Sequence, residues 1–127
     1  GISNVRSVAE SAITSEATTN TSVYQDRVSI TVNNTLSSSR ILVFYSFEHK
    51  HSHGNNNYAV VTRVTGTSLI GGTIEFSNGS GQYVKESGHL FDISSNTGDR
   101  TYKIQYRESG NTGYIQNAYL IAVEFTV

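Results

Sequence analysis

Apolar and polar positions along this chain alternate with the period of two that marks a half-buried strand. The clearest case is Arg27-Val28-Ser29-Ile30-Thr31-Val32, which puts Val28, Ile30 and Val32 on one face and Ser29 and Thr31 on the other. A turn at Asn33-Asn34 and Ser37-Ser38-Ser39 leads into Arg40-Ile41-Leu42-Val43-Phe44-Tyr45-Ser46-Phe47-Glu48, apolar almost throughout. A strand apolar on both sides sits centrally or buries its second face against something else. His49 to Asn57 reads as a loop and Tyr58 to Val64 as the next strand. Gly66 and Gly71-Gly72 set off short strands around Ser68 to Ile70 and Thr73 to Phe76, and Asn78-Gly79-Ser80-Gly81 is a turn of hairpin type. Tyr83 to Glu86 and His89 to Ile93 form one strand, in which Gly88 predicts a bulge.

Two further β-type runs, Thr101 to Arg107 and Tyr114 to Val127, are joined by Glu108-Ser109-Gly110-Asn111-Thr112-Gly113 and read as a hairpin. Ala118 to Val127 is the most apolar stretch and is expected to be a central, buried strand. At the other end, Ile2 to Ala9 is a poor helix because of Ser3, Asn4 and Ser7, and is expected as an extended arm. Ala12 to Thr18 reads as an edge strand. The division is therefore an N-terminal arm over 1–11 and one β-sandwich domain over 12–127.

About eight strands at short spacing, with no helical periodicity and no repeat, predict an all-β, eight-stranded antiparallel jelly-roll sandwich. An immunoglobulin-like sandwich is the alternative, without the Cys…Trp…Cys pattern of that fold. The expected core comprises Val28, Ile30, Val32, Leu42, Phe44, Ile104, Leu120 and Val123.

Composition narrows the function. The 127 residues suit one domain, and a net charge of -1 with no basic cluster gives no pull toward nucleic acid or an anionic membrane. No apolar run approaches the roughly 20 residues of a bilayer span. The absence of Cys removes disulfides, thiolate metal sites and cysteine nucleophiles. The absence of Met leads us to expect a chain whose initiator was removed before Gly1, or else a fragment or processed product.

The most prominent chemical feature is His49-Lys50-His51-Ser52-His53. On a continuing strand, His49, His51 and His53 would share a face, a spacing suited to Zn²⁺, Ni²⁺ or Cu²⁺. Gly54-Asn55-Asn56-Asn57 favours instead a solvated loop with incidental histidines, so the expectation is no metal and no cofactor. A cupin-type site would want a Glu where Asn55 stands. Asp92, Asp99, Glu108 and Glu124 form no carboxylate dyad by sequence, no Gly-x-Ser-x-Gly elbow is present, and the chain is expected not to be an enzyme. Tyr24, Tyr58, Tyr83, Tyr102, Tyr106, Tyr114 and Tyr119 are candidate stacking platforms for sugars, or ordinary rim and interface residues.

Thr101-Tyr102-Lys103-Ile104-Gln105-Tyr106-Arg107, followed by Gly113-Tyr114-Ile115-Gln116-Asn117-Ala118-Tyr119-Leu120-Ile121-Ala122-Val123, resembles the ending of small jelly-roll virion proteins of tailed bacteriophages. These are related in shape to the C1q and tumour-necrosis-factor modules. Ser29 to Val32 and Ile41 to Glu48 are similar to their second and third strands, so the resemblance spans roughly 12–127. It implies a structural virion protein on the capsid surface: a decoration (cement) protein that reinforces the major capsid protein lattice. It also implies a homo-oligomer, trimer before dimer; the low charge, independently, leads us to expect no nucleic-acid or membrane partner. The alternative is a carbohydrate- or receptor-binding module of a fibre or spike.

Overall fold

The computed structural model describes residues 4–52, 58–67, 69 and 73–126. Among these, nine strands form: β1 (Asn4–Ile13), β2 (Ala17–Thr19), β3 (Gln25–Thr35), β4 (Ser39–His51), β5 (Val60–Gly66), β6 (Ile74–Asn78), β7 (Val84–Asp92), β8 (Gly98–Glu108) and β9 (Gly113–Thr126). One antiparallel sheet runs β1-β9-β4-β7, with β2 also on β9; the other runs β3-β8-β5-β6. That interleaved order, two four-strand paths with neighbours distant in sequence, is the jelly roll.

The expected C-terminal hairpin does not form. β8 pairs with β3 and β5, whereas β9 pairs with β1, β2 and β4, so residues 109–112 cross from one sheet to the other. Both strands are interior members of their sheets, and their neighbours already satisfy both hydrogen-bonding edges. The Asn78-Gly79-Ser80-Gly81 turn likewise crosses between sheets, from β6 to β7.

Residues 4–11 are not a separate arm. They form most of β1, in register from Asn4↔Thr126 to Ile13↔Ala118, so the expected boundary at residue 12 falls inside a strand. Burying the edge of the apolar β9 outweighs the weak intrinsic preference of this segment. The predicted bulge at Gly88 is also absent, because β4 and β7 stay in register from Ile41↔Asp92 to His49↔Val84. The glycine serves packing instead: a Cβ there would lie 2.7 Å from the Tyr45 hydroxyl. On β4 the irregularity lies instead opposite Asn117, whose φ of 48° suits an asparagine, where β9 slips by one residue.

The core lies between the sheets. Val28, Ile30, Val32, Ile104 and Leu120 are buried as expected, with Ile41, Val43, Tyr45, Phe47, Val60, Val64, Tyr102, Ile115, Ala118 and Ala122. Leu42, Phe44 and Val123 are not core residues. On β4 it is the odd positions that face inward, and on β9 the inward set is Ala118, Leu120, Ala122 and Glu124. Both runs are apolar at both parities, so alternation cannot choose the inner face. The choice falls to the opposing sheet.

Candidate functional site: the outer face of the five-stranded sheet

The alternation of Tyr45 and Phe47 carries on through His49 and His51, so these lie in β4 rather than a loop and are fully buried. His49 Nδ1 is 2.7 Å from Thr62 Oγ1, and the His51 Nδ1–H donates to Glu108 Oε2 at 2.8 Å. Burial in apolar surroundings, including the edge of Phe47, lowers the pKa of His49 from 6.5 to about 4. Both Nε2 atoms are buried without a hydrogen-bond partner. Among the described residues no three His, Cys, Asp or Glu side chains are placed to hold a metal ion, and His53 lies outside them.

The carboxylates do structural work at separate places. Asp92 accepts from the Tyr102 hydroxyl at 2.6 Å and the Ser94 N–H at 2.9 Å; burial, then this hydrogen bond, raises the Tyr102 pKa. Glu124 accepts from Ser39, Ser7 and Arg6 at 2.5, 2.7 and 2.9 Å. Burial pushes its carboxyl up, but these donors and the Arg6 charge outweigh burial and hold it below the ordinary range. Asp99 accepts from the Asn34 backbone N–H at 3.0 Å.

Of the tyrosines, Tyr102 and Tyr106 belong to the core. Arg63 and Arg107 lie over the Tyr24 ring at 3.7 and 4.6 Å, and Lys50 lies between Tyr83 and Tyr114 at 4.7 and 4.9 Å. Faces already holding a cation are poor platforms for a sugar ring. Tyr58 and Tyr119 are exposed.

What the fold does assemble is an apolar surface on the solvent side of the five-stranded sheet. Strand register places Val8, Val123, Leu42 and Phe91 side by side across β1, β9, β4 and β7. The next row is Glu10, Ile121, Phe44 and His89, and the one after is Ala12, Tyr119, Ser46 and Ser87. Val5 and Phe125 extend the patch at one end, beside Arg40. Val8 is 57% exposed, Phe91 49% and Phe44 44%, while Leu42, Ile121 and Val123 are half-buried by their neighbours. At the other end the face turns polar, where Gln116 and Asn117 donate to Glu48 and Tyr83 donates to Glu16. Between β1 and β9 lies a shallow recess of about 350 Å³, lined by Glu10, Ser11, Ala12, Tyr119 and Ile121. Single exposed apolar side chains are ordinary; an in-register patch across four strands is the kind of surface at which proteins associate. The signal is present in the sequence as the double-parity runs 40–48 and 118–125 together with Phe91, but in such runs Leu42, Phe44 and Val123 read equally well as core.

The sequence matches no family model and no curated protein. Solved structures with the same fold do exist. Dimeric latent PorU from Porphyromonas gingivalis aligns over 94% of this chain at TM-score 0.58 and 10% identity. The infectious bursal disease virus Gt strain aligns over 94% at TM-score 0.51 and 12% identity. The D431N mutant VP2 protein of infectious bursal disease virus, from derived T=1 particles, aligns over 96% at TM-score 0.50 and 14% identity. The chain spans 13%, 32% and 36% of those chains respectively. At such identities the likeness is one of fold: this is a jelly-roll β-sandwich, an architecture that viral capsid proteins share.

Proposed function

We propose that this chain is a non-enzymatic structural protein of a virion, a capsid decoration (cement) protein that binds and reinforces the major capsid protein lattice as a homo-oligomer. The observation that carries the reading is the apolar outer face of the five-stranded sheet, a surface suited to stable protein–protein assembly. The jelly-roll order and its likeness in fold to capsid protein structures support it. The cation-covered rings of Tyr24, Tyr83 and Tyr114 weigh against the carbohydrate-binding alternative.

The test is co-sedimentation with purified capsids stripped of the protein, through high-salt washes. The expected result is retention on the capsids. Protein left wholly in the supernatant, or selective retention on a glycan array, would overturn the reading.

A further inference from the structure

We infer that the outer face of the five-stranded sheet is a self-association face, occupied by a second copy of this chain packed about a two-fold axis parallel to the strands. The inference rests on the reading of this face as a docking surface and names its occupant.

The argument is one of self-complementarity. A two-fold axis lying in the interface, parallel to the strands and midway between β9 and β4, maps each cross-strand row onto itself in reverse. The row Glu10, Ile121, Phe44, His89 carries an acidic residue at one end and a basic one at the other, with two apolar residues between. Reversed against itself, it sets Glu10 of each copy opposite the second copy's His89, and Ile121 opposite Phe44. Glu10 and His89 are both exposed, so each has room to meet a partner, and an imidazole N–H donates to a carboxylate. The row Val8, Val123, Leu42, Phe91 reverses with apolar residues opposite apolar residues throughout. The row Ala12, Tyr119, Ser46, Ser87 puts the Tyr119 hydroxyl against Ser46. The recess bordered by Glu10, Ala12 and Tyr119 lies at the level of the opposing His89 and provides room for its ring.

An axis perpendicular to the strands would instead set each strand over its own copy, giving Glu10 and His89 no opposite partner in this row. Strand-parallel packing is also the aligned geometry in which two sheets stack face to face, about 10 Å apart with mean strand directions within about 30°.

The footprint sets the expected strength. Four strands ~4.8 Å apart and four rows ~6.8 Å apart cover on the order of 400–500 Å² in plan. That falls below the ~800 Å² per partner of a standard interface, so association is expected in the micromolar range.

The test is sedimentation equilibrium of the full chain across micromolar concentrations, with three variants whose folding is checked by thermal melting. Wild type should dimerise. Phe44→Glu, which puts a carboxylate beside the axis from each side, should be a folded monomer. His89→Glu should weaken the dimer at least tenfold by facing Glu10 with a like charge. Glu10→Lys/His89→Glu should restore it. A wild-type monomer or trimer would overturn the proposal, as would a dimer indifferent to Phe44→Glu. A Phe44→Glu monomer without rescue by the charge swap would overturn the axis. Should Phe44→Glu fail to fold, the charge-swap pair carries the test alone. Capsid binding by a monomeric wild type would sink this pairing and spare the virion role. A charge-rescued dimer that ignores capsids would do the opposite.

Discussion

The two outward faces of the sandwich are built on the same strand geometry and differ in nearly every side chain. On the four-stranded sheet, register lines up Asp26, Gln105, Arg63 and Glu75, followed by Ser29, Lys103 and Thr65. These groups satisfy one another: Lys103 and Gln105 donate to Asp26, Arg63 donates to Gln105, and Thr31 and Thr101 share a hydrogen bond. The corresponding rows of the five-stranded sheet set exposed Val8, Phe44 and Phe91 beside half-buried Leu42, Ile121 and Val123. One face is finished in water; the other leaves apolar area whose burial would still be favourable at about 25 cal/mol per Å². That asymmetry is the observation on which the proposed docking role rests.

The sharpest way to break the comparison is to ask whether the two sides of one strand really differ. Leu120 and Val123 both sit on β9, on its inner and outer sides respectively. Leu120→Ala should cost about 2–5 kcal/mol in urea unfolding, whereas Val123→Ala should cost about 1 kcal/mol or less because its site is already half open. A larger cost for Val123→Ala than for Leu120→Ala would mean that β9 is turned the other way.

The same question can be put to β4 through pH. Buried neutral His49 binds its proton less readily when folded than when unfolded, with a pKa of about 4 against 6.5. Below pH 6.5 the unfolded state takes up the proton first. The contribution is therefore complete above pH 6.5 and is lost as pH falls toward 4, by roughly 3 kcal/mol. Urea midpoints measured across that window should fall for the wild type and flatten for His49→Gln. A wild-type profile as flat as the variant's would mean that burial does not hold His49 neutral in the folded protein.

Third in size is the effect of making the apolar face resemble its counterpart. Phe44→Ser with Phe91→Ser should shift monomer stability by about 1 kcal/mol or less, because both side chains are exposed. The double variant should bind less of an apolar dye such as ANS. Strong destabilisation would show that these residues are core after all. The smallest effect is expected on the polar face. Lys103 and Asp26, 34% and 51% exposed, form a pair at 2.8 Å, and Lys103→Ala should cost about 0–1 kcal/mol, less in high salt.

Much of the architecture was legible from residue pattern alone. The strands at 27–32, 40–48 and 101–107, the all-β class and the jelly roll follow from period-two alternation and from spacing. Pairing was not legible. A Gly/Asn-rich connection between two β runs reads as a hairpin, and only the three-dimensional order of strands shows that 109–112 bridges two sheets. The outer face was written in the sequence but ambiguous there: Ile41-Leu42-Val43-Phe44 has no polar parity, so nothing local distinguishes core from interface. The burial of His49 and His51 is illegible for the opposite reason. Polar residues with Asn and Gly nearby look like loop, and their burial depends on Thr62 and Glu108, 13 and 57 residues away along the chain.

Among the described residues, six of the eight connections between consecutive strands cross from one sheet to the other, and β9 lies inside its sheet, paired with β1, β2 and β4. A chain emerging from a ribosome therefore cannot complete the five-stranded sheet until β9 has been synthesised. Until then β1 and β4 expose unpaired edges, and the first has its partner more than a hundred residues downstream. Folding of such a topology is slow, in the range of milliseconds to seconds, because distant ends must meet before any pairing rewards them. Nascent copies crowded on one message would hold open the very strands that β9 later joins, so how closely translating ribosomes follow one another should set how much of the protein misassembles.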